Sequence, residues 1–137
     1  MNMESFEKII NEAWENKSKV SKDSDKKLLD AISETINLLD AGKLRVAEKK
    51  NNEWLVNQWA KKAILLSFKV NEMETLSGPY ATWYDKIKGK TAGWTKEQHL
   101  EAGFRSVPNG AIRKGAYIAK NVVLMPSFVN LGAYVDE

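Results

Sequence analysis

The chain has no cysteine. That single absence removes disulfides, thiolate metal sites, iron–sulfur clusters and thiol nucleophiles together. Only one histidine is present, His99, and no phosphate loop, zinc-ligand spacing or Ser-His-Asp order occurs anywhere. No metal site is expected. Long apolar runs are missing as well. A stretch such as Ala63–Phe68 is far too short to cross a bilayer, and no basic segment followed by an apolar one opens the chain. A soluble, cytoplasmic protein that does not meet a membrane is the expectation.

What is there has the texture of a globular domain: 137 residues, 43% hydrophobic and 28% charged, which suits one domain with a buried core. The charge is unevenly spread. Residues 1–85 hold 13 Lys/Arg against 14 Asp/Glu, whereas residues 86–137 hold 8 against 4. The basic excess of the second part suits an anionic small molecule better than nucleic acid, because its bases are scattered singly and no stacking platform of aromatics and arginines accompanies them. On charge alone, a solvated surface with a modest positive balance fits at least as well.

Hydrophobic spacing predicts an amphipathic helix over 3–17, with Phe6, Ile9, Ile10, Ala13 and Trp14 on one face. A second runs from about Asp25 to Asp40 on Leu28, Leu29, Ile32, Ile36 and Leu39, with Ser24 or Asp23 as its N-cap and Gly42 as its left-handed terminator. Leu44 to Val56 then reads as a β-hairpin turning at Lys50–Glu53. A third helix spans about Gln58 to Lys69 with Trp59, Ala63, Ile64 and Leu66 or Phe68 inward. Ser77-Gly78-Pro79 and Lys88-Gly89-Lys90 are loops, and Tyr80–Ile87 between them fits either an extended segment or a short helix. Lys96–Ala102 is a short helix ended by Gly103. Trp14, Trp54 and Trp59 fall on core faces, while Trp83 and Trp94 suit packing better than a ligand edge.

From Ser106 the period changes to six. Ile112, Ile118 and Leu124 recur in step, although the next position is Asn130, and Gly110, Ala116, Val122, Phe128 and Tyr134 form a parallel series. Turn-forming residues lie between them. An aliphatic anchor and a flexible corner in each hexapeptide are the signature of a parallel β-helix, in which each unit supplies one short strand and one corner.

The segments Leu38-Leu39-Asp40, Leu44–Lys49, Gln58-Trp59, Ala63–Phe68 and above all Gly103–Glu137 resemble the N-terminal half of the tetrahydrodipicolinate N-succinyltransferases, a family of hexapeptide-repeat acyltransferases in bacterial lysine and diaminopimelate synthesis. The resemblance implies an α+β N-terminal helical domain with a small hairpin, residues 1–104, leading into the first coils of a left-handed parallel β-helix, residues 105–137. It implies a homotrimer, succinyl-CoA as co-substrate with no permanently bound cofactor, and transfer of succinyl to the amino group of ring-opened tetrahydrodipicolinate. The transfer is direct, which accords with a chain that lacks cysteine. It needs a base for the amine and donors for the tetrahedral oxyanion.

The family's arginine in a Gly-Phe-Arg segment binds a substrate carboxylate, and here it is Arg105; a guanidinium offers carboxylate a planar bidentate fork. The family's aspartate for the substrate amine lies beyond the position of Glu137, and the donor-binding coils later still. Neither Asp136 nor Glu137 takes that role, so no catalytic or cofactor-binding residue is assigned within the chain. His99 reads as a surface residue. On this reading the chain stops just before the chemistry and is inactive by itself. Alternatives are a non-catalytic packing or assembly domain and an acetyl-CoA-dependent relative.

Overall fold

The computed structural model describes residues 2–137. Three helices form the first unit: α1 (Met3–Glu15), α2 (Lys26–Asp40) and α3 (Gln58–Val70). Their apolar stripes meet in one cluster in which Ile10, Ala31, Ala63 and Leu66 are fully buried and Ile32 and Leu39 nearly so. Two buried polar side chains are paired within their helices: the Thr35 hydroxyl donates to the Ala31 carbonyl and that of Ser67 to the Ile64 carbonyl, each at 2.7 Å, so neither donor is left unpaired.

Helix ends follow local chemistry. Asn2 caps α1 by accepting the Ser5 N–H at 3.0 Å, and the helix stops at Glu15 rather than 17. A 3₁₀ turn over Lys17–Lys19 follows. The N-cap of α2 is Asp25, neither Ser24 nor Asp23. Ser24 is occupied instead by the preceding turn, where its hydroxyl accepts from the Ser21 N–H at 3.0 Å. At the other end, Gly42 takes φ 69°. Its N–H reaches the Leu39 carbonyl and that of Lys43 the Leu38 carbonyl, the paired bonds of a Schellman terminus.

Two antiparallel hairpins stand on this unit. Strands β1 (Ala47–Lys50) and β2 (Glu53–Val56) are joined by Asn51 and Asn52, both at positive φ, as a two-residue turn matched to strand twist demands. The first strand starts three residues later than the alternation from Leu44 implies, because Leu44 is held in the helical core. Trp54 is 68% exposed, which corrects its assignment to a core face. It lies in register with Lys49 on a ribbon that no third layer covers. Strands β3 (Glu74–Ser77) and β4 (Thr82–Asp85) form a second hairpin, so Tyr80–Ile87 is extended. Trp83 folds over Gly78 there, with Tyr80 edge-on at 6.0 Å.

After α4 (Lys96–Ala102) come six two-residue strands: β5 (Arg105–Ser106), β6 (Ala111–Ile112), β7 (Tyr117–Ile118), β8 (Val123–Leu124), β9 (Phe128–Val129) and β10 (Tyr134–Val135). Each pairs in parallel with the third strand onward: β5 with β8, β6 with β9, β7 with β10. Asn109, Gly115, Asn121 and Gly132 turn the corners at positive φ. The six-residue step holds through Leu124 and then drops to five, so Val129, 8% exposed, takes the interior place and Phe128, 61% exposed, faces out. That is why Asn130 interrupts the anchor series: the anchor has moved one residue earlier. Ile112, Ile118, Val129 and Ala116 build the interior with Phe104.

Among the contacts that join the helices to the stacked strands is an ion pair with a buried lysine. Lys90, whose side chain is 7% exposed, lies 2.9 Å from the Asp40 carboxylate at the end of α2 and donates to the Asp40 carbonyl at 3.0 Å. The same carboxylate oxygen accepts the Gly115 N–H at 2.7 Å. Gly115 has φ 94°, and a Cβ there would stand 2.1 Å from Leu131 Cδ1, so a side chain is excluded twice over. Alongside, Lys90 N–H donates to the Ile112 carbonyl and Lys114 N–H to that of Lys88. The loop thereby occupies backbone groups of β6 that would otherwise form an open edge.

Candidate functional site

Arg105 owes its position to the residues just before it. Thr95 and Gln98 make a reciprocal capping box that starts α4, and Gly103 ends it at φ 72°. A Cβ at Gly103 would press on Lys120 Cγ at 3.1 Å. Phe104 is then sunk into the interior beside Trp94, ring centroids 6.1 Å apart. With Phe104 anchored inward, the next side chain is turned outward.

The backbone before and after it is tied to the neighbouring segment 121–124. The Asn121 N–H donates to the Gly103 carbonyl at 2.8 Å, the Arg105 N–H to the Val122 carbonyl at 2.9 Å, and the Val107 N–H to the Leu124 carbonyl at 3.0 Å. Arg105 thus stands on a rigid strand in register with Val123. It is exposed, and among the described residues its guanidinium has neither an ion pair nor a side-chain hydrogen bond. A fixed, unpaired, planar cation of this kind is suited to a carboxylate approaching from solvent.

The other arginines of this region are already engaged. Arg113 lies 2.8 Å from Asp85, donates to Asn130 at 3.3 Å, and sits between the rings of Phe68 and Phe128 at 5.7 and 5.6 Å. Arg45 stacks 3.4 Å over Tyr134 with Asp136 at 3.7 Å.

Other residues weighed from the sequence go elsewhere. His99 packs edge-on against Trp94 at 5.2 Å. Glu137 uses its N–H on the Asp136 carboxylate. The clefts do not converge on Arg105. One of about 440 Å³ lies between α2, α3 and the Lys86–Lys88 loop, where Glu72 and Glu74 already neutralise Lys22 and Lys88. A second of about 440 Å³ lies beside Trp94 and Tyr117. Among the described residues, no cluster of metal-ligating side chains occurs, and no helix is long and apolar enough to cross a membrane.

Carboxylates with altered acidity lie away from Arg105. Glu48 is held below the usual carboxylate range by the Asn57 amide at 3.1 Å and by Lys50 at 3.0 Å. Glu97 is lowered by backbone and Thr95 hydrogen bonds at the start of α4. Val123, in register beside Arg105, is not marked by any pattern in the sequence. The signal for Val123 is the offset of 18 residues between strands stacked on one side, which needs the pairing to be known.

Residues 5–70 match the family model described as tetrahydrodipicolinate N-succinyltransferase N-terminal. The chain is 64% identical over 138 residues to the 2,3,4,5-tetrahydropyridine-2,6-dicarboxylate N-succinyltransferase of Pelagibacter ubique, an alignment taking in 98% of this chain and 50% of that protein. It is 51% identical over 139 residues to the enzyme of the same name from Cereibacter sphaeroides, with 100% and 51% covered. With the one from Parvibaculum lavamentivorans it shares 46% over 140 residues, with 100% and 50% covered. The chain spans about half the length of these curated relatives. A helical unit that matches the N-terminal model, followed by a tract that stays aligned with the same relatives to its end, leads to one assignment: the chain belongs to the tetrahydrodipicolinate N-succinyltransferase family and corresponds to its N-terminal part.

Proposed function

We propose that this chain supplies the acceptor-binding arginine of an acyltransferase that moves succinyl from succinyl-CoA to the amino group of ring-opened tetrahydrodipicolinate, in cytoplasmic diaminopimelate and lysine synthesis. The observation that carries the reading is Arg105, exposed and unpaired on a strand tied by backbone bonds to its β8 neighbour, within a chain 64% identical to a named N-succinyltransferase. Its guanidinium holds one carboxylate of the acceptor and fixes the amine relative to the thioester. The amine nitrogen attacks the thioester carbonyl carbon, the C–N bond forms, the C–S bond breaks and coenzyme A leaves as its thiol. The amine proton passes to a base outside this chain.

In this reading residues 1–104 are a helical domain and residues 105–137 open a left-handed parallel β-helix. Parallel pairing at 17 or 18 residues and the positive-φ corners support it, since roughly 18 residues make one three-sided coil. The active assembly is a homotrimer, and the donor site lies in the half of the relatives that this chain does not match.

A thiol-release assay with succinyl-CoA and 2-aminopimelate tests the proposal. Residues 1–137 are expected to show no turnover. A chain extended to the full length of the relatives turns over, and Arg105→Ala in it raises the Michaelis constant for the amino-dicarboxylate at least tenfold. Unchanged constants in that variant would remove Arg105 from the site.

A further inference from the structure

The stacked strands present three outward faces, and an arginine lies at each beside an exposed or half-buried apolar side chain, Arg105 and Arg113 from the tract itself and Arg45 from the segment before β1. On the β6–β9 face Arg113 lies near Phe128 and pairs with Asp85. On the β7–β10 face Arg45 lies on Tyr134 and pairs with Asp136. On the β5–β8 face Arg105 is in register with Val123, and no carboxylate of the described residues reaches it. Two of the three guanidiniums have a carboxylate from their own chain. The third has an apolar neighbour and an open position.

The register says what that position offers. Leu124 packs toward the interior, Val123 before it is in register with Arg105, and Met125 follows just past the end of β8. Val123 is one strand spacing from Arg105, about 4.8 Å, and Met125 lies a further two residues along, about 6.5 Å. These side chains are 49% and 63% exposed on a backbone tied by the Arg105 and Val107 N–H bonds. We propose that Val123 and Met125 form an apolar ledge that takes the carbon chain of the carboxylate held by Arg105, and so select ligands by chain length. The inference rests on the reading of Arg105 as a carboxylate site and adds the specificity-determining residues. A methylene laid on the ledge is covered on one side only, so each strengthens binding about twofold, less than full burial gives.

The test is an NMR titration of the 137-residue chain with succinate, glutarate, adipate and pimelate, reading dissociation constants from the amide shifts around Arg105. Affinity is expected to rise about twofold per methylene in the natural chain. In Val123→Thr/Met125→Gln, whose changes are at exposed positions, the rise disappears while succinate binding is kept. Phe128→Ser on the neighbouring face leaves the rise intact, and Arg105→Ala weakens all four ligands at least tenfold. A chain-length dependence that is absent from the natural chain, or survives in the double variant, overturns the ledge and leaves Arg105 standing. Binding that ignores Arg105→Ala, or no binding of any of the four, overturns the carboxylate reading and the ledge with it.

Discussion

Gly115 shows how little freedom a single position has in this chain. Its N–H is spent on Asp40, its φ is 94° and the space where a Cβ would go is filled by Leu131. Gly115→Ala combines left-handed strain with overpacking, and a loss of about 2–4 kcal/mol is expected in urea unfolding. Lys114→Ala next to it, at an exposed position, stays within about 0.5 kcal/mol of the natural chain. Arg105 is the opposite case. Among the described residues its guanidinium has no partner, so Arg105→Ala is expected to leave urea unfolding within about 0.5 kcal/mol of the natural chain, and under the proposed reading it weakens carboxylate binding alone.

Among the elements, α4 depends most visibly on its cap. It has seven residues, none of them buried, so it draws little on packing and much on the Thr95–Gln98 exchange. Thr95→Ala is expected to cost about 1 kcal/mol and to raise hydrogen exchange across 96–102 before any change elsewhere. The first hairpin carries a pH dependence at its base. Hydrogen bonds from Asn57 and Lys50 hold the Glu48 pKa below its ordinary value of 4.5. The folded form therefore holds its proton less tightly than the unfolded chain. The resulting stabilisation is complete above about pH 4.5 and is lost as the pH falls through the lowered folded value. Asn57 also donates to the Arg45 carbonyl at 2.8 Å, so acid should loosen β1 and β2 first, seen as Trp54 and Lys49 shifts in an acid titration. Glu48→Gln removes that part of the acid sensitivity.

For the whole molecule, the Lys90–Asp40 pair ties the end of α2 to the stacked strands. With Lys90 only 7% exposed and Asp40 25%, removing the cation strands a half-shielded carboxylate. Lys90→Ala should cost about 3 kcal/mol. Lys90→Met with Asp40→Asn keeps volume and an acceptor for the Gly115 N–H and should recover most of it. Denaturant unfolding of the natural chain, the single variant and the double variant checks this. If Lys90→Ala is neutral, the two units are held together by the apolar contacts and the backbone bonds from Lys88 and Lys90 alone.

The amino-acid order by itself determined the helices, the first hairpin, the terminators at Gly42 and Gly103 and the six-residue tract, because each rests on neighbours within one or two turns of chain. The family was legible for the same reason: contiguous runs such as Gly103–Glu137 carry it. Side-chain exposure was less legible. Trp54 has the spacing of a core residue and lies on an uncovered ribbon, and Phe128 fits the six-residue series until one five-residue step turns it out. Only the tertiary structure decided that Lys90, Asp40 and Gly115 meet across 75 positions, and that Val123 stands beside Arg105 across 18. Local pattern records which face a residue prefers. What lies against that face depends on strand register and on burial shared between distant segments, and those are fixed only when the segments pack.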